Sequence, residues 1–201
     1  MPQLLVATRN LKKQRELDEL LANLNWDVLS LRDFPGCPEA VEDGETFIEN
    51  AAIKAKVASQ HSGLIALADD SGLEVDALGG KPGVYSARYA RGEGSTDEEN
   101  LIQVLQELKD VPPEERTGRF VCAVVIAQGA EILFQTRATV EGVITKAPRG
   151  KGGFGYDPIF YYPPFGKTLA EVTPDEKHGV SHRGQALRQS VNFLKALQSK
   201  E

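Results

Sequence analysis

Residues 120–140 read FVCAVVIAQGAEILFQTRATV. An unbroken apolar run, Phe120–Ala127, reaches Gln128-Gly129, and a second strand-like run occupies Glu131–Val140. Two such runs around a short glycine-containing turn predict an antiparallel hairpin. Gly142–Thr145 can extend its second strand. Elsewhere helix-type and strand-type patterns alternate, which would by itself suit a doubly wound parallel sheet. The clear hairpin in mid-chain points instead to an α/β protein with a mixed sheet.

Upstream, Gln3–Thr8 and Trp26–Leu31 read as short strands, and Leu17, Leu20, Leu21 and Leu24 recur between them at helical spacing. Arg32–Gly44, rich in proline, glycine and acids, reads as loop. Thr46 and Glu49 form a capping-box pattern ahead of an alanine-rich helix that runs to about Ser59. Leu64–Ala68 is a strand, and Gly72–Gly94, with six glycines, is expected to be mostly loop. Thr96 and Glu99 open a further helix whose inward stripe is Leu101, Val104, Leu105 and Leu108. Downstream, Lys146–Gly166 reads as loop with a short strand at Pro158–Tyr161. Thr173-Pro174-Asp175-Glu176 is a helix start, with a cap, a proline at the first position and acids in the first turn. Ser181 opens a last helix with Leu187, Val191, Leu194 and Leu197 inward. There is no repeat or low-complexity segment, and 201 residues suit one domain, 1–201.

A formal net charge of −6 argues against a polynucleotide-binding surface, which needs a basic face. A few local lysines can still hold a small phosphate ligand. No apolar run approaches the roughly 20 residues of a membrane helix. The opening MPQLLVATRN is expected to be a strand entering a loop rather than a secretion signal. Cys37 and Cys122 lack metal-site spacing and read as reduced thiols of a cytoplasmic protein.

Five segments carry candidate chemistry. In ATRNLKK (7–13), Asn10 is a plausible helix N-cap and Lys12 and Lys13 add charge to free N–H groups that suit phosphate. A solvated basic first turn explains them equally well, and no Walker-type phosphate loop occurs anywhere. In VEDGETFIENA (41–51), Glu42 and Asp43 precede a capped helix, where acids commonly complement the macrodipole. In ADDSG (68–72), Asp69 and Asp70 follow an apolar strand. Asp-Ser-Gly turn chemistry accounts for one aspartate, whereas a divalent cation accounts for both. In KGGFGYDPIF (151–160), glycines allow close backbone approach and Phe154 and Tyr156 offer flat faces. Pro158 predicts an extended Asp157, and a tight turn with core aromatics is the competing reading. In SHRGQAL (181–187), His182 and Arg183 lie in a helix first turn, Lys177 precedes them, and Arg presents a fork of donors suited to carbonyl or phosphate oxygens.

ATRNLKK, TFIENAAIKA, ADDSGLEVDALGGKPGVYSARYA, GGFGYDPIF and SHRGQAL, in this order, resemble the non-canonical purine nucleoside triphosphate pyrophosphatase family, also called the inosine triphosphate or dITP/XTP pyrophosphatase family. The resemblance spans residue 4 to about 190. It implies an α/β fold with an elongated mixed β-sheet flanked by helices, in two lobes with the active site in the cleft between them, and a homodimer. It implies hydrolysis of ITP, dITP and XTP to the monophosphate and pyrophosphate with Mg2+. By the same resemblance Asp70 is the base that activates water and also a metal ligand, and Glu42 is the second metal carboxylate, with Asp43 and Glu39 as alternatives. Thr8, Arg9, Asn10, Leu11, Lys12 and Lys13 hold phosphates, and Ser71 joins the substrate site. Phe154, Gly155, Tyr156 and Asp157 take the base, with Lys177, His182 and Arg183 beside them. Many members carry glycine where this chain has Arg9 and Lys12, so Arg9 and Leu11 are expected to contribute backbone contacts.

In physical terms, the triphosphate needs a metal and lysines to neutralise it before water can attack the α-phosphorus. His182 and Arg183 would donate to the 6-oxo group of hypoxanthine or xanthine and face the 6-amino group of adenine donor to donor. The role of Asp69 stays open. Two other readings remain: a pyrophosphatase of other base specificity, such as dTTP or UTP, and a non-catalytic nucleotide-binding module.

Overall fold

The computed structural model describes residues 1–10, 14, 17, 21–22 and 24–199, apart from the His178 side chain. Seven strands form one mixed sheet in the order β2-β1-β3-β4-β5-β6-β7. They are β1 (Gln3–Val6), β2 (Asp27–Ser30), β3 (Ile65–Val75), β4 (Thr117–Gln128), β5 (Glu131–Ile144), β6 (Phe160–Tyr162) and β7 (Lys167–Thr168). β1 pairs in parallel with β2 and β3, while β5, β6 and β7 pair antiparallel. The helices are α1 (Phe47–Ser62), α2 (Asp97–Glu107), α3 (Pro174–Val180) and α4 (His182–Gln198). Gln14, Leu17 and Leu21 are helical as well, and Leu17 and Leu21 are buried as their spacing predicts. Leu20, with Leu11, Lys12 and Lys13, lies outside the described residues.

Backbone contacts divide the chain into two compact units. Unit 1 is residues 1–70, 122–138 and 183–201, and unit 2 is residues 71–121 and 139–182. β3, β4 and β5 each contribute residues to both. In unit 1, Leu4 and Leu67 pack with Val124 and Ile126 of the hairpin and with Leu187 and Leu194 of α4. In unit 2, Leu73 and Val75 pack with Val104 and Leu108 after the α2 cap, and with Ile159 and Phe160. Burying each such side chain contributes about 1.5–3 kcal/mol.

The local signals held. Thr46 and Thr96 each accept from the backbone N–H of the glutamate three residues on, and each glutamate answers in a closed capping box. Thr173 caps α3 in the same way, with Pro174 in its first turn. α1 ends at Ser62, three residues beyond the expected Ser59, and is capped by Gly63, whose φ of 73° lies in the left-handed region.

Three expectations fail. The strand at Leu64–Ala68 does not stop at the aspartates: β3 runs on through Asp69, Asp70 and Ser71 to Val75, so Asp-Ser-Gly is strand and not turn. Beyond Asp70 the strand is held by long-range partners, which a local turn signal does not register. The Leu73 N–H donates to Ser86 Oγ at 2.9 Å. A Cβ on Gly118 would come within 2.6 Å of the Glu74 carbonyl oxygen, so only glycine lets β4 approach there. Second, Asp157 does not sit in an extended pre-proline segment but opens a short 3-10 turn, Asp157–Ile159. Its carboxylate is claimed by Phe154 N–H and Lys177, and those bonds outweigh the pre-proline preference. Third, the short strand expected at Pro158–Tyr161 begins at Phe160 and reaches Tyr162.

Candidate active site

In unit 1, β1 leads into the 7–13 segment. Asn10 N–H donates to Thr8 Oγ1 at 3.2 Å, and the Asn10 carbonyl accepts from Gln14 N–H at 2.9 Å, as an N-cap carbonyl does. Arg9 adds a side-chain tether: its Nη2 donates to the Cys37 carbonyl at 2.9 Å. The segment that carries Glu42 is pinned at its far end by Asn50 of α1. Asn50 Oδ1 accepts from Gly44 N–H at 2.8 Å, and a Cβ on Gly44 would lie 2.7 Å from Glu49 Cβ. Position 44 therefore requires glycine, and the loop is fixed two residues beyond Glu42.

The centre of unit 1 is a three-residue charged array. Lys54 of α1 donates from Nζ to Glu42 Oε2 and to Asp70 Oδ1, each at 3.0 Å. Burial alone would push the Lys54 ammonium down; the carboxylates of Asp70, Asp69 and Glu42 outweigh it and hold the amine above its ordinary value. Of the three carboxylates considered for the metal, Glu42 is the one that Lys54 brings alongside Asp70. Successive strand residues face opposite sides, and β3 accordingly sends Asp69 away from Asp70. The Asp69 carboxylate lies 3.6 Å from Arg183 Nε at the start of α4, with side chains 1% and 5% exposed. Two adjacent acids are tolerated in a buried strand because each faces a cation, Asp70 the Lys54 ammonium that it shares with Glu42 and Asp69 the Arg183 guanidinium.

In unit 2, the Gly152–Ile159 segment is fastened group by group. Asp157, buried, accepts from Phe154 N–H at 2.8 Å and from Lys177 Nζ at 2.5 Å. The same ammonium sits 4.6 Å from the centre of the Phe154 ring, within cation–π range. Gly155 N–H donates to Asp97 Oδ2 at 2.8 Å, and Tyr156 Oη–H donates to the Ser86 carbonyl at 2.7 Å. Burial pushes the Tyr156 phenol up, so it stays protonated as a donor. Gly153 has φ of 71°, and a Cβ there would meet Asp157 Oδ2 at 2.1 Å. His182 is buried and stacks on Phe120, ring centres 5.0 Å apart and planes 10° apart. Ser71, half-buried, follows Asp70 in β3.

The structure thus gathers Glu42 with Asp70, and Phe154, Asp157 and Lys177 with one another, while Arg183 is engaged by Asp69. Sequence reading missed Lys54, Asp97 and Ser86. A signal existed for Lys54: it stands four residues after the buried Asn50 on an alanine-rich helix, and Glu42, Asp69 and Asp70 called for a nearby cation. None existed for Asp97, which reads as an ordinary helix-start acid, or for Ser86 in a glycine-rich loop.

The Glu42 and Asp70 carboxylates form a hard-oxygen set that suits magnesium, which usually completes its shell with waters and substrate phosphates. Lys54 shows that the pair already accommodates a positive charge between them. Among the described residues, no group of three or more His, Cys, Asp or Glu gathers to hold a metal by itself.

The chain is similar to known proteins over nearly its whole length. The model of the Ham1 family matches residues 4–193. The dITP/XTP pyrophosphatase of Geobacillus kaustophilus is 51% identical over 187 residues, which are 93% of this chain and 91% of that protein. The dITP/XTP pyrophosphatase of Geobacter sulfurreducens is 52% identical over 187 residues, covering 93% and 94%. The solved structure of a HAM1 protein from Coxiella burnetii superposes with a TM-score of 0.91 at 42% identity, covering 98% of this chain and all of that one.

Proposed function

The chain belongs to the Ham1 family, and we propose that it hydrolyses the non-canonical purine nucleoside triphosphates ITP, dITP and XTP to the monophosphate and pyrophosphate, cleansing the nucleotide pool. Its relatives at about half identity carry the name dITP/XTP pyrophosphatase, which supports this reading. The observation that carries it is the Glu42–Lys54–Asp70 array. A non-catalytic binding module has no need of two carboxylates held against one largely buried ammonium.

In this reading Asp70 is the general base. Its carboxylate takes a proton from water as the water oxygen bonds to the α-phosphorus. The bond from that phosphorus to the α–β bridging oxygen breaks, and pyrophosphate leaves. Glu42 and Asp70 would hold Mg2+, which when bound supplies positive charge against the phosphate oxygens. Lys54 neutralises part of the carboxylate pair and orients Asp70. Thr8, Arg9, Asn10, Leu11, Lys12 and Lys13 hold the phosphate tail, with Ser71 in the substrate site. The Phe154–Asp157 segment and Lys177, His182 and Arg183 select the base. Asp157 and Lys177 bind each other, and that bond holds the segment in one shape.

One functional domain over residues 1–201, a homodimer and a cytoplasmic location belong to the same proposal. Three strands that contribute to both units support the first, and two buried cysteines that the sequence reads as reduced thiols suit a reducing compartment. Among the described residues no helix is long and apolar enough to cross a membrane.

Pyrophosphate release from ITP, XTP, GTP, dTTP and UTP, with and without magnesium, tests the function. Rapid release from ITP and XTP only with the metal is expected. Preference for dTTP or UTP would transfer the chain to another base specificity, and binding of ITP without release would make it a binding module.

A further inference from the structure

Asp70 has a part in the proposed chemistry, whereas its neighbour Asp69 has none, although it is the more deeply buried of the two. Asp69 shares the β3 face of Leu67, which packs in the cluster that includes Leu187 and Leu194 of α4. On that face it meets Arg183, the second residue of α4. A buried ion pair is weak evidence for stability, because desolvating both charges offsets most of their attraction. What such a pair does provide is direction. A guanidinium is a rigid planar fork, and a buried carboxylate 3.6 Å from its Nε, an ion pair longer than a hydrogen bond, attracts it on that side and biases where the remaining N–H groups aim.

Resting on the assignment of Arg183 to base recognition, we infer that Asp69 is a positioning residue that sets base selectivity through Arg183. The adjacent aspartates divide the work by strand alternation. Asp70 acts at the reacting phosphate, and Asp69, on the opposite face, aims the donor that reads the 6-oxo group. Asp69 itself touches neither the reacting atoms nor the base.

Four proteins test this: wild type, D69N, R183M and the D69N/R183M double variant, each assayed on ITP and on ATP. D69N is expected to lower kcat/KM for ITP on the order of 10-fold to 100-fold, mainly through KM, as small misplacements do. ATP turnover stays within about twofold, so the ITP-to-ATP ratio collapses. In the R183M background D69N adds less than about twofold, because the residue through which it acts is gone. A merely structural ion pair would lower ITP and ATP turnover alike, and that result overturns the inference. So does a full additional effect of D69N on top of R183M. If D69N alone does not fold, the double variant, which removes both charges together, is compared with R183M, and equal ITP-to-ATP ratios are the supporting outcome. Calorimetric titration of the same proteins with inosine monophosphate reads the coupling without turnover. Absence of pyrophosphate release from ITP in wild type would sink the proposed function. The binding titration would then decide the Asp69–Arg183 coupling separately: loss of affinity in D69N but not additionally in the double variant supports it, and unchanged affinity in D69N overturns it.

Discussion

Around Lys54 a single ammonium serves two carboxylates, whereas in the Gly152–Ile159 segment nearly every polar group has a partner of its own. The first arrangement can be rearranged by an incoming cation or phosphate, because the charges only change partners. The second cannot be rearranged without exposing a buried carboxylate or a buried phenol. A reacting centre needs charges that can be redirected, and a recognition surface needs a backbone that does not move. The contrast teaches that invariance of shape and readiness of charge are built by different means in one chain.

The sharpest way to break the comparison is D70N. It keeps the shape of Asp70 and an acceptor for Lys54 while removing the carboxylate proposed as the base, so turnover should fall about 10²–10⁴-fold with the fold intact. Near-normal ITP hydrolysis by folded D70N would remove Asp70 from the chemistry and make the array a structural one. Next in size is K177M. It leaves the Asp157 carboxylate, 3% exposed, without its ammonium. Breaking such a pair costs about 3–5 kcal/mol. Chemical denaturation should show that loss, and an unchanged midpoint would mean that the segment is not fastened there.

Smaller again is G153A. The added Cβ meets Asp157 and the residue must keep φ of 71°, so a loss of about 1–3 kcal/mol is expected, with base selectivity falling more than turnover number. A variant as stable as wild type would show that the segment can shift. The smallest effect is a pH dependence of the array. Lys54 holds its proton more tightly in the folded chain than its ordinary 10.5. The stability it contributes is therefore fully present below pH 10.5 and is lost as pH rises through the higher folded value. The gap in urea midpoint between wild type and K54M should stay constant up to about pH 10 and narrow above it. A gap that widens with rising pH would reverse the sign assigned to the array.

Sequence alone determined the elements whose signals are local. The hairpin, the two threonine capping boxes and the proline at the start of α3 involve residues within a few positions of one another, so their chemistry can be read in a short window. It also supplied the residue types of the site, although Leu11, Lys12 and Lys13 fall outside what the structure describes. Only the tertiary structure decided that β3 passes straight through Asp69 and Asp70, that Lys54 serves Glu42 and Asp70, and that Arg183 serves Asp69. It likewise decided that Gly155 hangs on Asp97 and Tyr156 on Ser86, partners 58 and 70 positions apart. The physical reason is common to all of these. A charge or an N–H group specifies the kind of partner it must have, but which partner reaches it is settled only when distant strands and helices pack and take the water away.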